Sequence, residues 1–79
     1  MVRGGERMKE NLLKSKRTLN GFTQESMAKN IGISTKTYNR KELKMSDFTI
    51  GEVINISKLL KLSPKDINLI FFDGNLPIV

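Results

Sequence analysis

The chain has no cysteine, no histidine and no tryptophan, and only one tyrosine. Without cysteine there is no disulfide framework, no thiolate metal site and no thiol nucleophile. Without histidine it lacks the side chain that most readily moves protons near neutral pH. Its eight carboxylates are scattered, with no ligand-like cluster for a metal. The one glycine pair in a basic run, at Arg3-Gly4-Gly5, neither follows a strand nor has the spacing of a phosphate-binding loop. Catalysis, a metal, a cofactor and a small-molecule substrate are therefore not expected. No apolar run approaches the roughly 18 residues of a membrane span. The stretch from Met1 to Glu10 is polar and has no signal-peptide core. These absences fit a cytoplasmic protein.

Positive charge is present, and it is placed unevenly. The net charge is +6, but residues 1–44 hold eleven Lys/Arg against four Asp/Glu, whereas residues 45–79 hold three against four. The first part alone is thus at +7 and the second at −1. A basic half on a small domain points to a polyanion partner, most often nucleic acid. With 79 residues there is one domain and a thin core, to which every helix must contribute its apolar face.

Hydrophobic periodicity predicts five helices and no strand, a compact all-α fold. The first runs from about Glu6 to Thr18, with Met8, Leu12 and Leu13 on its apolar stripe and Lys9, Lys14, Lys16 and Arg17 off it. Asn20-Gly21 is the stop. Thr23 caps a second helix that turns Met27, Ala28 and Ile31 inward, and Gly32 ends it. Ser34 caps a third helix reaching about Leu43. After a loop from Met45 to Phe48, Thr49 and Glu52 form the capping box of a fourth. Its apolar residues Ile50, Val53, Ile54, Ile56, Leu59 and Leu60 spread round the helix, which predicts a central position. Ser63, Pro64 and Asp66 open the fifth, which ends near Phe72. On it Ile67, Ile70 and Phe71 share a core-facing stripe.

The spacing around Gly32 carries the most information. Counting from Gln24, Met27 stands fourth, Ala28 fifth, Ile31 eighth, Gly32 ninth, Ile33 tenth and Tyr38 fifteenth. A small residue at Ala28 lets two helices approach, and Gly32 supplies a positive φ that costs other residues about 1–2 kcal/mol. Met27, Ile31, Ile33 and Tyr38 fill the wedge behind the turn. This is the pattern of two helices crossing steeply through a tight turn.

The run Gln24 to Glu42, QESMAKNIGISTKTYNRKE, resembles the helix-turn-helix of the lambda-repressor/Cro-like (XRE-type) family. The matching elements are Gln-x-x-apolar-Ala, then Gly-Ile-Ser, then apolar-x-Arg-x-Glu. A basic first helix and the closing LLKLSPKDI also fit, so the likeness covers about residues 8–72. Two departures stand out. Lys41 occupies a place that is usually apolar, which suggests that Leu43 replaces the missing contact, and Lys44 stands near a usual glycine. In such a motif the third helix enters the major groove and the second lies across the backbone.

The resemblance implies sequence-specific binding to double-stranded DNA. It assigns base reading to Thr35, Lys36 and Arg40, with Thr37 and Asn39 beside them, and phosphate contact to Thr23, Gln24, Ser34 and Lys44. It implies a small transcriptional regulator, a phage or prophage repressor or Cro-like protein, acting on a pseudo-palindromic operator. An alternative from another class is a protein-interaction module, antitoxin-like or adaptor, that uses the apolar C-terminal segment.

Both ends of the chain raise separate expectations. Arg3 to Glu6 can be encoded by a purine-rich run resembling a bacterial ribosome-binding site upstream of Met8. Residues 1–7 are therefore read as a translated leader or a flexible arm, and the natural start, Met1 or Met8, stays open. Residues 73–79 form an apolar tail with Leu76, Ile78 and Val79. Either it folds back over the core or it, or the fifth helix, packs on a symmetry mate to form a homodimer.

Overall fold

A computed structural model describes residues 12–74 of the chain. Five helices and no strand occur among the described residues: α1 at residues 12–19, α2 at Gln24–Ile31, α3 at Thr35–Glu42, α4 at Ile50–Leu59 and α5 at Pro64–Phe71. The leader, Met8 and Lys9 at one end, and Leu76, Ile78 and Val79 at the other, lie outside the described residues.

Local chemistry starts each of the last four helices. Thr23, Ser34, Thr49 and Ser63 are extended residues whose hydroxyls accept from the backbone N–H three positions on. In three of them the third helical residue returns the bond, Ser26 to Thr23, Glu52 to Thr49 and Asp66 to Ser63. Helix α2 stops at Gly32, whose φ of 78° is left-handed, and Ile33 N–H closes onto Ala28 C=O at 3.0 Å. Helix α3 ends the same way with Lys44 at φ 66°, where Met45 N–H donates to Arg40 C=O at 2.9 Å.

The core consists of Leu13, Met27, Ala28, Tyr38, Ile56, Leu60 and Ile70, so every helix contributes at least one residue. Phe48, in the loop before α4, packs against Tyr38 at 5.9 Å and edge-on to Phe71 at 5.4 Å. Tilted and edge contacts of this kind suit the ring quadrupoles.

Three expectations need correction. Helix α4 is central on one side only: Ile56 and Leu60 are buried, but Ile50 and Ile54 remain 73% and 48% exposed. Leu43 does not replace an apolar contact at Lys41, being 48% exposed itself. Instead Lys41 stays half-buried, bonded to Glu52 at 2.6 Å and lying over the Phe48 ring at 5.9 Å. A charge is tolerated there because the capping carboxylate of α4 faces it. Arg17 is the third correction: it is not on the outer side of α1 but buried, 5% exposed.

Candidate nucleic-acid interface

Helix α3 is divided lengthwise. Tyr38 is fully buried, and Glu42, one turn later on the same face, is 5% exposed. Thr35, Lys36 and Arg40 are exposed, with Lys36 and Arg40 one turn apart. Among the described residues none of these three side chains makes a hydrogen bond or an ion pair. The other expected reading residues are already engaged. Thr37 Oγ1 accepts from the Ser34 hydroxyl at 2.9 Å. Asn39 is half-buried and donates from Nδ2 to Gln24 Oε1 at 3.1 Å.

The expected phosphate-contacting residues separate into two places. Thr23, Gln24 and Ser34 stand at the N-termini of α2 and α3, where free backbone N–H groups favour anions. The Thr23 and Ser34 hydroxyls serve as helix caps there. Lys44 belongs to the far end of α3. Its ammonium donates to Ile70 C=O at 3.0 Å and pairs with Asp73 at 3.3 Å, tying α3 to the end of α5.

Behind the exposed face lies a buried polar network. Arg17 donates to Glu42 from Nε at 2.9 Å and from a terminal nitrogen at 3.2 Å, while its other terminal nitrogen donates to Phe22 C=O at 3.0 Å. Glu42 also accepts from Gln24 Nε2 and from the Tyr38 hydroxyl, each at 2.8 Å. The carboxylate thus takes four hydrogen bonds, about what its lone pairs allow. No buried side-chain nitrogen or oxygen among the described residues lacks a partner.

The network sets the ionisation of its members. Burial by itself raises the Glu42 carboxyl, but hydrogen bonds from Arg17, Gln24 and Tyr38 outweigh it and hold the group below its ordinary value. Burial lowers Arg17, and the bonds to Glu42 more than reverse that, so the guanidinium stays charged. Burial and the neighbouring carboxylate push the Tyr38 phenol far above its usual range. Tyr38 is therefore a neutral donor to Glu42.

Sequence reasoning did not find Arg17 and Glu42 as partners. One signal was available, since Arg17 stands four residues after Leu13, and Glu42 four after Tyr38. Each therefore falls on the inward face of its helix.

A profile of the family described as helix-turn-helix matches residues 13–67 of the chain. No curated protein matches, and neither does any solved structure.

Proposed function

We propose that this chain, which belongs to the lambda-repressor-like helix-turn-helix family, reads a specific sequence in double-stranded DNA with the exposed face of α3. The family is one of DNA-binding transcription regulators, usually without enzymatic activity. One observation carries the finer reading. Tyr38 and Glu42 fix one side of α3 in the core while Lys36 and Arg40 stand exposed and uncommitted on another, and Thr35 is exposed and uncommitted at the first turn. Lys36 and Arg40 have the donors for guanine O6 and N7, and the Thr35 methyl suits a thymine methyl. Thr37 and Asn39 flank this set. Thr23, Gln24 and Ser34 bring two helix N-termini to the phosphates, and Lys44 adds positive charge beyond them.

On this reading the protein is a small cytoplasmic repressor or Cro-like regulator of phage or prophage type that excludes polymerase by occupying its operator. Leu43, Met45, Ile50 and Ile54 are exposed apolar side chains, and Ile50 lines one groove of about 330 Å³ together with Ile70, Phe71 and Phe72 at the end of α5. The groove, which reaches α5, supports a homodimer formed through α5 or the tail. Two recognition helices about 34 Å apart then face successive major grooves of a pseudo-palindromic site.

Selection of bound sequences from random duplex DNA at physiological salt tests the proposal. A single enriched motif with dyad symmetry is expected, and binding that falls steeply with salt. Absence of any enriched motif overturns sequence reading and favours a protein-interaction module. Sedimentation of the chain lacking residues 74–79 tests the tail: a dimer of unchanged affinity removes the tail from the interface.

A further inference from the structure

Asn39 differs from the other side chains of the proposed reading face because it is bonded across to α2. Its Nδ2 donates to Gln24 Oε1 at 3.1 Å, and Gln24 Nε2 donates to Glu42 Oε1 at 2.8 Å. Glu42 is held in turn by Arg17 and Tyr38. The order of donors and acceptors leaves Gln24 one amide orientation. Reversed, its carbonyl oxygen faces a carboxylate and its NH₂ group faces the NH₂ group of Asn39. Bidentate reading of adenine requires an asparagine to align both amide atoms with the base edge. At this position the orientation of the amide is set by Gln24 instead.

We infer that Asn39 is a positioning residue: together with Glu42 it holds the Gln24 amide in place, so that the remaining Gln24 N–H meets one DNA phosphate at the start of α2. The inference rests on the DNA-binding surface proposed above. Asn39 then contributes to affinity on every sequence alike and discriminates no base pair. Its effect passes through Gln24, so removing Gln24 removes it too.

The test uses the full chain and an operator obtained by random selection, with a single neutral methylphosphonate placed at each phosphate in turn. Wild type loses affinity when one particular phosphate near the start of α2 is neutralised. Both Gln24→Ala and Asn39→Ala become indifferent to that same phosphate. On unmodified operator Asn39→Ala binds about 5-fold more weakly, the scale of one net hydrogen bond. The double variant binds no worse than Gln24→Ala alone, and single base-pair changes are discriminated by Asn39→Ala as sharply as by wild type. Asn39→Asp, which keeps the shape but removes the donor, shows the same insensitivity and guards against a misfolded alanine variant. Retained phosphate sensitivity, or discrimination lost at one base pair in Asn39→Ala, overturns the role of Asn39. If Arg40→Ala relaxes one base pair in the same assay, that failure leaves the reading surface standing. A selection that enriches no sequence overturns the surface and this inference together.

Discussion

Arg17 and Glu42 stand 25 residues apart and meet through two hydrogen bonds, 2.9 Å and 3.2 Å long, inside the domain. The pair fixes α3 against α1 at a point directly behind the exposed face. Two charges removed from water are costly, and the arrangement holds because every polar atom finds a partner. The guanidinium also binds Phe22 C=O, and the carboxylate takes Gln24 and Tyr38. Such a network contributes more to fixing one arrangement of helices than to net stability.

Arg17→Met will therefore be strongly destabilising. It leaves the Glu42 charge buried without its counterion, and breaking such a pair costs about 3–5 kcal/mol. Arg17→Lys will cost less, because an ammonium restores the charge but not the two parallel bonds or the bond to Phe22. Urea denaturation followed by circular dichroism measures both. A loss below about 1 kcal/mol for Arg17→Met, the level of an exposed pair, contradicts the buried network.

Stability will also fall in acid. Glu42, Glu52 and Asp66 all have carboxyls held below their ordinary values in the folded chain. Each contribution is present above the unfolded value, 4.5 for Glu42, and is lost as pH drops through the folded one. Tyr38 sets the other limit: its raised phenol contributes below the unfolded value of 10.0, and that stability is lost at higher pH. With no histidine in the chain, a plateau from about pH 5 to pH 9 is expected. Urea midpoints measured across pH check this, and a transition centred between pH 6 and pH 7 contradicts it.

Much of this architecture was legible before the structure because its signals are local. Thr23, Ser34, Thr49 and Ser63 each bond within three residues, so sequence spacing suffices to place the caps. Tyr38 follows from helical period, and Gly32 from the need for a left-handed turn. Arg17 and Glu42 had only the helical period to mark them as inward, and Lys41 had nothing, because their charge partners lie on other helices and charge by itself argues for an outward position. The same limit applies to Ile50 and Ile54, four residues apart on α4. Their apolarity marks a face to be covered but not what covers it. The proposed reading face is legible only as exposed chemistry; that Asn39 is already engaged depends on how α2 and α3 meet, and Thr37 is engaged by the cap hydroxyl of Ser34.

Lys61→Gly will stabilise the domain. Lys61 sits at φ 53° just after α4, and Leu62 N–H closes onto Ser57 C=O at 2.9 Å, the geometry that glycine adopts without strain. The gain expected is about 0.5–1 kcal/mol, the left-handed penalty less the greater freedom of glycine in the unfolded chain. Lys44→Gly relieves the same strain at φ 66° but loses the bonds to Ile70 C=O and Asp73. It will gain less than Lys61→Gly or lose stability. Thermal melts of the two variants side by side test the distinction, and a larger gain at Lys44 overturns it.

Arg40→Ala separates reading from general attraction. The Arg40 side chain is exposed and makes no bond with another described residue, so its removal should leave the melting curve close to that of wild type. If Arg40 holds one guanine, its loss costs about 1–3 kcal/mol on the preferred operator and much less on operators changed at that base pair. Lys14→Ala, on the exposed surface of α1, removes charge without touching the α3 face. If Lys14 meets a phosphate, affinity falls on all sequences alike and the salt slope drops by about one. Titrations of both variants against the operator and its single-base changes, at two salt concentrations, distinguish the two roles. Equal losses on every sequence for Arg40→Ala place Arg40 on the phosphates and leave Thr35 and Lys36 to read.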